Sequence, residues 1–119
     1  AEGRYDVDAG SAATDALMAR KDRPTAIFAA NDLIALGVIS RLAGHGFRVP
    51  DEVAVVGFDD IPMAASEPIS LTTIRQKVPD MVAAAVETLT TRLADPSAPI
   101  RNLVIAPELI IRRSSGLQI

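Results

Sequence analysis

Val53-Ala54-Val55-Val56-Gly57-Phe58-Asp59-Asp60 decides how this chain reads. Its first four residues are apolar, three of them valine, with no polar alternation, which is the pattern of a strand buried on both faces in a parallel sheet. A glycine, an aromatic and two carboxylates follow at once, so polar chemistry begins where the strand ends. In open parallel α/β sheets, ligands sit outside the carboxyl ends of strands, and Asp59 and Asp60 lie where such a fold keeps its ligand contacts. The plainer reading is that one or both only cap the next turn.

Upstream of this strand, Thr25-Ala26-Ile27-Phe28-Ala29-Ala30 is a second short apolar run, and Asn31 and Asp32 stand at its carboxyl end. One of the two should cap the following helix, whose first amides need an acceptor. That helix, about Asp32 to His45, carries two apolar stripes: Ala35, Val38, Ile39 and Leu42 on one side, Leu33, Leu36 and Ser40 on another. The first faces the sheet; the second meets either another subunit or another part of the same core. Gly44 and Gly46 offer a left-handed stop, and Pro50 prevents continuation. Earlier still, Ala12, Ala13, Ala16, Leu17 and Ala19 predict an Ala-rich helix ended by the residue before Pro24.

Downstream, Ile61 to Ser66 fits one helical turn, which Asp60 is expected to cap. Leu71 to Gln76 is β-branched enough for a strand, and Pro79 opens a helix whose Val82, Val86, Leu89 and Leu93 step along one face. Asn102 to Ala106 and Glu108 to Arg112 read as two strand-like segments broken by Pro107.

With 119 residues, 49% of them hydrophobic, 23% charged and a formal net charge of −3, the composition is that of one soluble globular domain with a real core. The sequence has no Cys, which excludes disulfides, thiolate metal sites and a catalytic Cys, and its single His, His45, makes a His-based zinc site implausible. His45, between two glycines near a helix end, reads as a solvated residue favoured by the helix dipole. No apolar run approaches the roughly 18 residues that cross a bilayer, and Ala1 to Tyr5 lack a signal core. Acids outnumber bases, 15 to 12, which argues against this segment lying on nucleic acid. The abrupt Gly3-Arg4-Tyr5-Asp6 start is expected of a piece of a longer chain. Asp59 and Asp60 as a Mg2+ pair compete poorly, because neighbours on a strand point to opposite sides and no phosphate loop accompanies them. An enzyme is not expected, and no cofactor is implied.

Several stretches together resemble the LacI/GalR family of ligand-controlled transcription regulators, in the carboxy-terminal part of their effector-binding core. They are Pro24-Thr25-Ala26-Ile27-Phe28-Ala29-Ala30-Asn31-Asp32 running into Ala35-Leu36-Gly37, then Gly46-Phe47-Arg48-Val49-Pro50, Val55 to Asp60, and Leu71-Thr72-Thr73-Ile74-Arg75-Gln76. They follow the family's order and spacing over about residues 3 to 116. The resemblance implies an α/β fold of periplasmic-binding-protein-like type I: flavodoxin-like lobes, each a parallel sheet with helices on both faces, joined by crossovers around a ligand cleft. It assigns about 3–74 to the carboxy-terminal lobe, about 77–106 to the amino-terminal lobe, where the Pro79 helix would bury its apolar face, and about 107–116 to a return. The chain thus holds an incomplete core, 1–119, without a DNA-binding domain.

Three positions carry over to the cleft, and each has a chemical reason. Asp59 accepts two hydroxyl hydrogen bonds at once, and Asn31 both donates and accepts, or else only caps its helix. Tyr5 offers a flat face to a sugar ring or a base, or else only packs beside the first strand. Gln76 and Val78 are secondary cleft positions. Family dimers use the helix and the segment that here hold Leu33, Leu36, Ser40, Met63, Ala64 and Ser66. The implied partners are a small effector (sugar, polyol, nucleoside or purine), a second copy of the chain, and operator DNA through a domain outside this sequence; no membrane is involved, and the location is the cytoplasm. The periplasmic sugar-binding component of a transporter, which shares the architecture, is the alternative.

Overall fold

A computed structural model of the chain describes residues 4–117, so Gly3, at the expected start of the carboxy-terminal lobe, lies outside the described residues. The elements run α1 (Val7–Met18), β1 (Ala26–Phe28), α2 (Asp32–Gly44), β2 (Ala54–Phe58), a 3-10 turn (Pro62–Ala65), β3 (Thr72–Arg75), α3 (Val78–Ala94), β4 (Glu108–Ile110) and a second 3-10 turn (Arg113–Ser115). The residues divide into two compact units, one running to Arg75 and resuming at Leu109, the other Gln76–Glu108.

In the first unit the sheet order is β1-β2-β3-β4. β1 pairs with β2 in parallel, Phe28 opposite Val56, and β2 with β3 in parallel, Phe58 opposite Ile74. β4 completes a mixed sheet beside β3. On one face of the opening strand Val53 and Val55 are buried, together with Leu71 ahead of β3 and Ala35, Val38 and Leu42 of α2. Ala54 and Val56 on the other face are half-buried, so the strand expected to be buried on both faces is fully buried on one. Each large side chain of this kind contributes roughly 1.5–3 kcal/mol relative to exposure. The α2 stripe that faces the sheet is the one the periodicity picks out, with Ile39 packed at its margin.

Helix α1 stacks on α2. A Cβ at Gly10 would overlap the Ile34 carbonyl oxygen, and one at Gly37 the Val7 carbonyl oxygen, so the crossing depends on two glycines letting backbone approach backbone. α1 starts earlier than the alanines suggest, because Asp6 caps it by accepting from the Ala9 N–H at 2.9 Å. It ends at Met18, well before Pro24, and an Arg20–Asp22 ion pair at 2.8 Å spans the bend that follows. Asn31, rather than Asp32, caps α2, accepting from the Ile34 N–H at 2.8 Å. Gly46 supplies the left-handed stop with φ 81°. His45 at the end of α2 is not only solvated: its Nε2 lies 2.6 Å from Asp15 Oδ1, which also takes a 2.6 Å bond from Arg41 Nε.

Three expectations need correction here. Ala64 is fully buried in this chain's own core, because the 3-10 turn rotates it inward between exposed neighbours, so it has no surface to offer a second subunit. Asn102 to Ala106 forms no strand: Pro99 and Pro107 bracket it and Val104 is 95% exposed, so no buried face fixes a register. Of Glu108 to Arg112, only Glu108–Ile110 is strand.

In the second unit, α3 has Pro79 in its first turn and no buried residue; Val82, Val86, Leu89 and Leu93 are all exposed. Met81, Ala85 and Leu89 of α3, with Leu103 and Ile105, line a groove of about 490 Å³. Arg101 reaches Glu87 at 3.3 Å within the same unit.

Candidate functional site

The parallel pairing brings the ends of β1, β2 and β3 to one edge of the sheet, and each end carries polar groups. Asn31 follows β1. Its side chain divides its capacity between two neighbours: Oδ1 takes the Ile34 N–H, and Nδ2 donates to the Tyr5 main-chain oxygen at 3.2 Å. The helix-cap role of Asn31 is therefore real, and the same amide brings Tyr5 beside it. Tyr5 is 65% exposed and is not part of the buried core.

One strand over, the chain leaves β2 through two residues with left-handed backbone, φ 115° at Asp59 and 56° at Asp60. The Asp59 N–H stays in the ladder, donating to Ile74 O at 2.9 Å, while its side chain is exposed at the strand end. Gln76 and Val78 fall in the second unit, where the Val78 N–H donates to Gln76 O at 2.9 Å and the Val78 side chain is exposed.

Asp60 does not cap the following turn. Its Oδ2 sits 2.6 Å from Arg75 Nε and its Oδ1 2.7 Å from Arg112 Nη2, and the side chain is only 7% exposed. Burial opposes ionisation of this carboxyl, but the two guanidiniums outweigh it, Arg112 more than Arg75, and its pKa is lowered. Arg112 is itself anchored, donating through Nη1 to Leu71 O at 2.8 Å.

The Ile61 N–H goes instead to Asp32, whose Oδ2 accepts it at 2.9 Å while Oδ1 accepts from the Thr73 hydroxyl at 2.6 Å. Asp32 is fully buried. The carboxylate occupies the space that a Cβ on Gly57 would need, since that Cβ would overlap Oδ1 and lie 3.0 Å from Leu71 Cδ2. Sequence reasoning missed this cluster of Gly57, Asp32 and Thr73. One signal was present: a glycine inside an otherwise β-branched strand marks a close approach by another group. Around it, Ser114 bonds to Thr72 N and Val55 O, at 2.8 and 2.6 Å, and ties the carboxy-terminal segment to β2 and β3.

Chemically, then, the edge offers an exposed carboxylate, an amide with hydrogen-bonding capacity to spare, and an exposed aromatic residue, on a framework in which no buried side-chain nitrogen or oxygen among the described residues lacks a partner. Such a set accepts hydroxyl or N–H donors and stacks on a flat ring. Asp59, Asn31 and Tyr5 are all placed by this unit, whereas Leu33, Ser40 and Met63 are exposed elsewhere on it, with Leu36 and Ser66 half-buried. No helix among the described residues is long and apolar enough to cross a membrane.

Parallel strands carrying their polar residues at the carboxyl edge are the arrangement of the periplasmic binding protein-like domains, and the chain belongs to that family, whose model matches residues 1–115. Among its relatives are transcription regulators of the LacI type. The HTH-type transcriptional repressor PurR of Mannheimia succiniciproducens is 38% identical over 113 residues, 95% of this chain and 34% of that protein. A solved LacI-type transcription regulator from Bifidobacterium animalis subsp. lactis superposes with a TM-score of 0.87 at 37% identity, covering 97% of this chain and 41% of that one. The transcriptional regulator CelR in complex with cellobiose gives 0.85 at 34% identity, covering 94% of this chain and 34% of that one. The chain spans about a third of the length of the curated relatives it matches.

Proposed function

We propose that the intact protein is a LacI-type DNA-binding transcription regulator acting in the cytoplasm, and that this chain contributes the sensing part of its effector-binding core. The observation that carries the reading is the polar edge itself, with Asn31 and Asp59 at the carboxyl ends of the adjacent parallel strands β1 and β2, and Tyr5 held beside Asn31 through its main-chain oxygen, in a chain of this family. A sugar or related polyol suits it best: a carboxylate takes two hydroxyls, an amide donates and accepts, and a ring stacks on the apolar face of a pyranose. CelR, a relative in structure, was solved with cellobiose, which supports a carbohydrate; a nucleoside or purine offers the same donors and a flat ring. That the relatives are regulators by name favours this reading over the transporter component and over an enzyme.

In this proposal the two compact units belong to two lobes, with Gln76 at a crossover, Gln76 and Val78 as secondary effector contacts, and the effector favouring one lobe arrangement over another. A change in lobe arrangement would then alter the affinity of a DNA-binding domain elsewhere in the protein. The exposed apolar face of α3 would be covered by the rest of its lobe. Leu33, Leu36 and Ser40 with Met63 and Ser66 would form a two-fold surface between copies.

The test is a thermal-shift screen of the full-length protein against sugars, polyols, nucleosides and purines, followed by calorimetry on variants. Asp59→Asn keeps the shape but removes the charge and one acceptor, with about 1.5–3 kcal/mol of charged hydrogen bonding at stake, so affinity should fall roughly tenfold to a hundredfold. Tyr5→Ala should cost about 1–3 kcal/mol and Tyr5→Phe little. Unchanged affinity in both Asp59→Asn and Tyr5→Ala would remove these residues from the site.

A further inference from the structure

We infer that Asp60 is a positioning residue for Asp59, an inference that rests on the reading of Asp59 as an effector contact. Two consecutive residues with φ 115° and 56° occupy a region that side chains other than glycine's seldom adopt, and such a pair persists only where its surroundings hold it. Here the turn is held at three points. The Asp59 N–H is fixed to Ile74 O and the Ile61 N–H to the buried Asp32 carboxylate. Between them the Asp60 carboxylate grips Arg75 with one oxygen and Arg112 with the other.

The Asp60 side chain is only 7% exposed, so it bears on binding through what it holds, the backbone it shares with Asp59 above all. Its two partners come from different parts of the chain, the end of β3 and the segment after β4, and Arg112 is only 16% exposed and tied to Leu71 O. The carboxylate cannot swing away without leaving that guanidinium without its charge partner in a largely dry place. Fixed in this way, Asp60 fixes the peptide linking it to Asp59, and with it the direction in which the Asp59 carboxylate leaves the end of β2. Asp32 and Asp60 thus do different things: the first fixes where the chain goes after the turn, the second fixes the turn's hand.

The experiment is a cycle on the full-length protein with Asp59→Asn, Asp60→Asn and the double variant. Asn tolerates left-handed backbone as Asp does, so Asp60→Asn removes the charged grip while leaving the turn sterically open to the chain. Calorimetry uses sucrose, cellobiose, ribose and adenosine as probes, and crystals of the parent and of Asp60→Asn are compared without ligand. For a probe that binds the parent, Asp59→Asn should weaken binding roughly tenfold or more and Asp60→Asn about fivefold to twentyfold. The double variant should be no weaker than Asp59→Asn alone, since a misplaced carboxylate and a missing one are equivalent. Arg75→Gln, which removes one arm of the grip, should give a smaller loss with the same non-additivity. The Asp60→Asn crystals should show Asp59 displaced from its left-handed backbone. Additive losses, or an unmoved Asp59 in those crystals, overturn the positioning role even if Asp59→Asn weakens binding. A probe that binds Asp59→Asn as well as the parent overturns the effector reading instead.

Discussion

Replacing Gly57 with Ala tests whether the strand of the opening motif is shaped around Asp32. The new methyl would overlap Asp32 Oδ1, approach the Asp32 carboxyl carbon to 3.3 Å and reach Leu71 Cδ2 at 3.0 Å. Neither neighbour is free to move, since Leu71 is fully buried and the carboxylate holds the Thr73 hydroxyl at 2.6 Å and the Ile61 N–H at 2.9 Å. Hydrogen bonds to a charged group contribute about 1.5–3 kcal/mol each, and overpacking a filled core adds about 1–3 kcal/mol. Partial repair of one bond, together with the gain of up to about 1 kcal/mol from removing a strand glycine, offsets part of this. The net expectation is a loss of about 2–4 kcal/mol. The assay is urea unfolding of the full-length protein, followed by circular dichroism, for Gly57→Ala, Asp32→Ala and the pair. In the Asp32→Ala background the carboxylate is gone and only the 3.0 Å approach to Leu71 Cδ2 is left, so Gly57→Ala should then cost much less. A loss under about 1 kcal/mol, or an equal loss in both backgrounds, would refute the idea that the glycine exists to admit the carboxylate.

Gly37→Ala and Gly44→Ala are the same change in the same helix with opposite expected signs. At Gly37 the methyl meets the Val7 backbone, forcing α1 and α2 apart at a cost of about 1–3 kcal/mol, whereas at Gly44 it meets nothing within 4 Å and should stabilise by up to about 1 kcal/mol, both read from unfolding midpoints. The Asp60 ion pairs make stability pH-dependent in a defined direction. Its folded pKa lies below the unfolded value near 3.9, so the contribution is complete above that value and is lost as pH falls through the lowered one. Melting curves should therefore show Asp60→Asn less stable than the parent at pH 7, with the gap closing below about pH 4; a constant gap counts against the charge pairing. Leu36→Glu would place an unpaired charge in the proposed two-fold surface, and sedimentation should then show monomer, an unchanged dimer removing this surface from the interface.

The elements were legible where one periodicity or one residue type decides them. The valines before Gly57 could only be a buried strand, and the Ala35, Val38 and Leu42 spacing could only be a helix face against a sheet. Boundaries were less legible because caps act at a distance from the apolar pattern: Asp6 starts α1 ahead of its alanines, and nothing in the alanine run indicates that. The Asn102–Ala106 stretch has strand composition but no buried face, and composition alone cannot supply a partner.

The acidic turn shows why the site was only half legible. Its two carboxylates stand out in the sequence at a strand's carboxyl end, yet what separates them is long-range: Asp60 to Arg112 spans 52 residues, Asp32 to Thr73 spans 41, and Asp32 to Ile61 spans 29. Read locally, Asp32 is one of two candidate caps at a helix start and Arg112 is the tail of a strand. Only the sheet makes them neighbours of β2: its parallel β1–β2 pairing sets Asp32 beside the end of β2, and the return through β4 sets Arg112 beside the start of β3, within reach of Asp60. A single rule would have recovered half of this. In a parallel sheet, an acid one place after a helix cap starts its helix beside the end of the adjacent strand, close enough to accept the first amide beyond that strand's own turn. That acceptor supplies from outside what Asp60 was expected to supply from within. It leaves Asp60 to the arginines, and it explains how one of two adjacent carboxylates is exposed at the edge while the other is sealed beneath it.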